Sequence, residues 1–400
     1  MNDIKLAKGV YWVGAVDRDI PPSSGYAGTS YNAYLIIDEK ITLVDGVKYS
    51  HRDQFWERIR NIIDPEKIDY MIVNHVEPDH SSSLPEIIST IKPEKIFCSS
   101  AGKDAIIAHF HDKTWPFQVV KSGDEISLGE RTVHFIMTRM LHWPDSMFSY
   151  LKEDGILFSN DAFGQHIASD ERFDDEVDIA VPIKGAKFFY ANNLNLLSPL
   201  IRKTLVALEK MELTLNMIAP DHGYIWRSHP EKILEAYARW SCQKHDKKAL
   251  VVYDTKWKST EIMAKAIAQG IEEKNVPVQL CSLKTWHRGA IMEEFLTAST
   301  IVMGSPTINN GVIPSMASFL HYIKGLKPKN KIGAGFGSYG WGGEGVRQIN
   351  ATMDDLKFNR VDDGLRIKFV PDEEQLQACV EYGHKIAEAT LAYNPGCSKE

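Results

Sequence analysis

The chain has 400 residues, 44% of them apolar, and a formal net charge of −7. Two domains with real cores fit that length, and a mildly acidic chain without a basic stripe argues against nucleic acid as a partner. Five scattered cysteines with no C-x-x-C pair exclude a zinc knuckle or rubredoxin-type site and predict a reduced, cytoplasmic protein; no run is long enough to cross a membrane, and Met1-Asn2-Asp3-Ile4-Lys5 has no signal-peptide pattern.

In chain order, residues 31–37 and 41–44 read as a hairpin with Asp38-Glu39-Lys40 as its turn. An apolar run, Tyr70-Met71-Ile72-Val73, leads into His75-Val76-Glu77-Pro78-Asp79-His80. Residues 95–98, 132–137, 155–159 and 215–219 read as further short strands. Residues 195–211 and 230–242 read as helices, the second with Pro230 in its first turn. The charged stretch 243–248 predicts a domain boundary, giving 1–246 and 247–400. From Ala249 onward strands at 249–253, 278–282, 300–303, 331–336 and 365–370 alternate with helical segments, including 260–274 and 372–392. That alternation predicts a doubly wound parallel sheet, and the whole chain is of α/β class.

Two imidazoles and two carboxylates within residues 75–80 offer more ligands than one metal usually takes from one loop. The cluster therefore predicts a two-metal site. His142, Asp161 and His222 each follow an apolar run, so sheet ends could bring all seven around one cavity. Four histidines with three carboxylates suit iron better than structural zinc. Asp161 is the natural bridge, because one carboxylate can bind two metals.

These segments resemble a known family. The metallo-β-lactamase fold carries H-x-H-x-D-H, and here Glu77 stands at the second His. That variant is similar to the site of flavodiiron proteins, as are Met140-Leu141-His142-Trp143-Pro144-Asp145-Ser146-Met147, Ser159-Asn160-Asp161-Ala162-Phe163-Gly164-Gln165-His166 and Ala219-Pro220-Asp221-His222-Gly223 with Trp226-Arg227. The resemblance implies an N-terminal metallo-β-lactamase-like αββα sandwich and a C-terminal flavodoxin-like domain. It implies one iron on His75, Glu77 and His142, another on Asp79, His80 and His222, and Asp161 between them. His166 and Tyr190 are candidate neighbours of the ligands. Near Pro21-Pro22-Ser23-Ser24-Gly25 the chain departs from the family's aromatic-His-Gly run.

Three loops of the C-terminal half read as a flavin site. Thr255-Lys256-Trp257-Lys258-Ser259-Thr260 opens a helix, where hydroxyls and N–H groups bind phosphate. It resembles the flavodoxin phosphate loop, which holds flavin mononucleotide (FMN), although Lys256 is unusual there. Pro306, Thr307, Asn309 and Asn310, with Ser338, Tyr339, Gly340, Trp341, Gly342 and Gly343, would flank the isoalloxazine beside the switch point of a 2-1-3-4-5 sheet. The literal G-x-G-x-x-G at 335–340 lies on the fourth strand rather than the first, which argues against NAD.

The expectation is thus a flavodiiron oxidoreductase with FMN and two irons, reducing dioxygen to water or nitric oxide to nitrous oxide. By the same resemblance, electrons come from rubredoxin or a similar donor, and a head-to-tail homodimer, or a dimer of dimers, brings flavin and irons together. Trp341 and the loop around Trp143 are candidate cross-subunit contacts. Two other classes are weighed against this. A zinc hydrolase with an attached flavodoxin domain is opposed by Glu77, and a pure electron carrier by the complete ligand set.

Overall fold

The computed structural model describes residues 3–20 and 25–397. It divides into two compact units, Met1–Phe189 with Leu200–Ala238, and Tyr190–Pro199 with Arg239–Glu400. The expectation from sequence is a boundary after residue 246; by contact, Tyr190–Pro199 groups with the residues from Arg239 onward. Tyr190–Pro199 joins the second unit through side-chain bonds: Asn192 Nδ2 donates to Gly289 O and Asn195 Nδ2 to Leu326 O.

The first unit holds two sheets. Ile4–Ala7, Val10–Trp12, Tyr34–Ile36, Thr42–Val44, Tyr70–Val73, Lys95–Cys98 and Phe117–Val119 form one, in that order. Glu125–Ser127, Thr132–Met137, Met147–Leu151, Ile156–Phe158 and Met217–Ala219 form the other. Alternation sets the layers. Leu35, Leu43, Met71 and Ile96 face the helices Arg52–Ile62, Leu84–Ile91 and Ser100–Phe110. Tyr34, Ile36, Val44, Ile72 and Phe97 meet Val133, Phe135, Met147 and Phe158 of the second sheet. Each such side chain contributes about 1.5–3 kcal/mol by leaving water. This is the expected αββα sandwich.

The hairpin pairs Ile36 with Thr42. The predicted run 31–37 breaks at Asn32, however, and Tyr31 ends a separate strand, Thr29–Tyr31, paired with Ala15–Asp17. Asn32 leaves the ladder because its N–H donates to Asp221 O and its amide to Pro220 O.

In the second unit, Val278–Ser282, Asp246–Tyr253, Ala298–Gly304, Ile332–Tyr339 and Leu365–Lys368 pair in parallel in the spatial order 2-1-3-4-5. Asn359–Arg360 adds a short rung beside the fourth strand. The fourth strand runs three residues past its predicted end, and the fifth stops at Lys368. The helices Ser259–Glu273 and Glu373–Ala392 approach so closely that a Cβ on Gly270 would lie 2.0 Å from Val380 O, which only glycine permits.

The cysteine expectation needs one correction: Cys242 and Cys397 form a disulfide, while Cys98, Cys281 and Cys379 are free and buried. The partners lie 155 residues apart, so their meeting is a property of the fold and not of local spacing.

Candidate metal centre and flavin cavity

All seven predicted ligands converge in the first unit. His75 follows Tyr70–Val73, and Asp79 and His80 lie in the short helix Pro78–Ser81, with Glu77 just before it. His142 lies between Thr132–Met137 and Met147–Leu151. Asp161 and His222 follow two neighbouring parallel strands that pair Phe158 with Ala219.

The cluster has two halves. His75, Glu77, His142 and Asp161 form one group, and Asp79, His80 and His222 another, the ligand atoms of each lying within 4.8 Å of one another. Asp161 Oδ2 is 2.8 Å from His142 Nε2 and 3.5 Å from His75 Nε2. Its other oxygen, Oδ1, is 3.2 Å from His80 Nε2 and 3.3 Å from His222 Nε2. Glu77 Oε2 closes the first half at 3.1 Å from His142, and Asp79 Oδ2 the second at 3.3 Å from His222.

Surrounding groups fix the tautomers. Asp145 Oδ2 lies 2.9 Å from His75 Nδ1 and also accepts from Val76 N–H. His222 Nδ1 lies 2.7 Å from Ser30 O, which can only accept. Donation from each Nδ1 leaves Nε2 as a free lone pair aimed into the cavity.

The donor set fits a metal pair. His80 Nε2 and His222 Nε2 face each other at 3.1 Å, while buried Asp79 Oδ1 and Asp161 Oδ1 have no hydrogen-bond partner. Converging acceptors call for cations. The proton affinities agree. Burial opposes a charged His142, yet Asp161 and Glu77 raise its pKa to about 9; His80 likewise reaches about 9 against burial, through Asp79 and Asp221. Glu77 falls to about 2, because His142 and His75 outweigh its burial.

The two candidate neighbours have different surroundings. His166 stacks on Tyr26 at 4.3 Å, lies 4.4 Å from the His222 ring, and is pushed down to about 3 by burial and by His222. Tyr190 falls in the second unit, its hydroxyl 2.9 Å from Ser198 Oγ. Sequence reasoning missed Asp221, which groups with His80 and Asp161, and the orienting role of Asp145. The departure at Pro21-Pro22-Ser23-Ser24 lies outside the described residues.

A cavity of about 470 Å³ opens in the second unit. Thr255, Lys256, Trp257, Ser259, Pro306, Thr307, Asn309, Ser338, Tyr339, Gly340 and Trp341, all candidate flavin residues from the sequence, line it together with Ile308, Phe369 and Val370. Thr260, Asn310, Gly342 and Gly343 are not among its lining residues. Thr260 Oγ1 bonds Ser338 Oγ at 2.9 Å, and Asn310 turns a hairpin between Thr307–Ile308 and Gly311–Val312. Thr255 Oγ1 is buried without a partner beside the helix that starts at Ser259, an arrangement suited to a phosphate.

Residues 29–223 match the ODP family beta lactamase and residues 251–383 match Flavodoxin. The nitric oxide reductase of Moorella thermoacetica is 42% identical, over 96% of this chain and 98% of its own. The chain belongs to the flavodiiron family. Rubredoxin oxygen:oxidoreductase from Desulfovibrio gigas superimposes with a TM-score of 0.95 at 40% identity, covering 98% of this chain and 99% of that one. The flavodiiron protein from Giardia intestinalis gives a TM-score of 0.94 at 33% identity, covering 98% of each. This flavodiiron chain is therefore an oxidoreductase whose cofactors are FMN and a di-iron centre.

Proposed function

We propose that the protein reduces dioxygen to water, nitric oxide to nitrous oxide, or both. One observation carries the reading: Asp161 divides its two oxygens between two complete histidine–carboxylate sets. His75, Glu77 and His142 would hold one iron and Asp79, His80 and His222 the other. The iron pair supplies redox chemistry on a small molecule, and with a two-electron flavin it can hold the four electrons that full dioxygen reduction needs. Asp145 and the Ser30 carbonyl keep the imidazoles aimed inward. The relatives' names, one nitric oxide reductase and one rubredoxin oxygen:oxidoreductase, support both substrates.

Thr255, Lys256, Trp257, Ser259 and Thr260 would hold the FMN phosphate. Pro306, Thr307, Asn309 and Asn310, with the loop from Ser338 to Gly343, would hold the ring. Residues 1–246 thus serve the metals and 247–400 the flavin. A rubredoxin-like protein is the proposed donor, in the cytoplasm. No helix among the described residues is long and apolar enough to cross a membrane. A head-to-tail homodimer, alone or paired into a dimer of dimers, would set the flavin of one subunit against the irons of the other, with Trp341 and the loop around Trp143 in contact. Two-fold symmetry then makes two equivalent sites.

The test is to reduce the protein anaerobically and follow dioxygen and nitric oxide consumption in parallel. Consumption of at least one gas is expected, with flavin reoxidation. Consumption of neither by protein carrying both cofactors contradicts the reading. Exchange between a flavin-free and an iron-free variant should restore about one working site in two if the dimer completes the site.

A further inference from the structure

Phe369 holds a backbone conformation that its side chain disfavours. Its φ is +64°, in the left-handed region where Cβ crowds the following carbonyl. Glycine and asparagine are the ordinary choices there, and this chain uses Asn309, Asn310 and Gly343 in that way nearby. Nor does burial offset the strain, since Phe369 is 64% exposed.

Its position explains more than its packing does. Leu365–Lys368 pairs with Ile332–Tyr339 so that Lys368 stands opposite Tyr339. The Phe369 N–H then donates to Tyr339 O at 2.8 Å, extending the ladder by one rung. The left-handed turn follows at once and carries the chain off the sheet. Phe369 is thereby registered to the start of the Tyr339-Gly340-Trp341 loop. A Cβ on Gly340 would lie 3.7 Å from Phe369 Cε1, an ordinary contact. The Lys368 ammonium lies 5.3 Å from the ring centroid.

The ring lines the same cavity as Trp257, Tyr339 and Trp341. Trp257 is 81% exposed and Trp341 85%. Three large aromatic side chains left open around one cavity make a surface for a planar, conjugated ligand. Strained backbone that the surroundings over-determine clusters at ligand clamps.

We propose that Phe369 is a flavin-contacting residue. Its ring packs against the isoalloxazine and, with Tyr339 and Trp341, completes an aromatic enclosure. The left-handed backbone persists because it aims the ring there.

Glycine at this position separates the two contributions, since it keeps the backbone and removes the ring. Apoprotein of the full chain is titrated with FMN by flavin fluorescence, and its melting temperature is measured separately. Phe369→Gly should weaken FMN binding about tenfold, equivalent to about 1.4 kcal/mol, without lowering the melting temperature of the apoprotein. Phe369→Tyr should bind within about threefold of the wild type. Unchanged affinity in Phe369→Gly would overturn the proposal. So would a lowered apoprotein melting temperature with affinity that Phe369→Tyr does not restore, because the ring would then be packing and not contact.

Discussion

Asp161 and His222 stand at matched heights on the edge of one sheet. Each lies three residues past a residue of the parallel pair Phe158 and Ala219, and His222 Nε2 ends 3.3 Å from Asp161 Oδ1. Two parallel strands have fixed register, so equal overhangs deliver their side chains to the same place. The loops are tied as well: Asp221 N–H donates to Asn160 O, and Asn160 Nδ2 donates to Met147 O beside the His142 loop. The bridge position therefore follows from strand pairing.

The first prediction compares ligand variants. His142→Ala should lower iron content and abolish gas reduction while FMN stays bound, because His142 serves one half of the cluster in the unit that lacks the flavin cavity. Asp161→Ala, which serves both halves, should lose more iron than His142→Ala. Elemental analysis and flavin absorbance on the same samples decide it. Full iron in His142→Ala would remove that residue from the site.

Asp145→Ala tests the orienting bond. His75 would lose the acceptor 2.9 Å from its Nδ1, and the ring could take the wrong tautomer. Iron affinity should fall by about 10–100-fold, measured by competition with a chelator, while the fold persists by circular dichroism. Unaltered affinity would show that burial alone orients His75.

Acidity should act oppositely on the apoprotein and on iron binding. Despite burial, carboxylate neighbours hold His80 and His142 at about 9, above the ordinary 6.5. A pKa raised on folding gives stability that is fully present below pH 6.5 and lost as pH rises through 9. Apoprotein melting temperature should therefore fall across pH 6.5–9. Iron needs the unprotonated rings, so its affinity should rise over the same interval. Parallel pH trends in the two measurements would contradict this assignment.

Thr255→Val probes the phosphate loop. The Thr255 hydroxyl is buried and has no protein partner. Valine keeps the shape and removes the hydroxyl. FMN affinity should fall about tenfold, as expected for a lost bond to a charged group, whereas riboflavin, which lacks the phosphate, should bind as before. An equal loss for both would mean that Thr255 acts on the ring or on folding.

What the sequence disclosed was whatever sits close in the chain or repeats regularly. Four ligands fall within His75–His80, and the alternation from Ala249 onward is regular enough to imply the parallel sheet. His142, Asp161 and His222 were reachable because each follows an apolar run. Relations between distant residues were not legible. Asp145 lies three residues after His142, yet only the folded chain brings it 70 residues back to His75. Phe369 falls inside the strand expected over 365–370, and its left-handed turn is invisible to hydrophobic patterning. Tyr190 sits in a stretch that the side chains of Asn192 and Asn195 tie to the second unit, and no periodicity announces that.

The central claim is that one carboxylate joins two metal positions in this chain. Elemental analysis of protein reconstituted anaerobically with ferrous iron, then desalted, tests it most directly. Two irons per chain are predicted in the wild type. One iron per chain, or zinc retained in preference to iron, would contradict it.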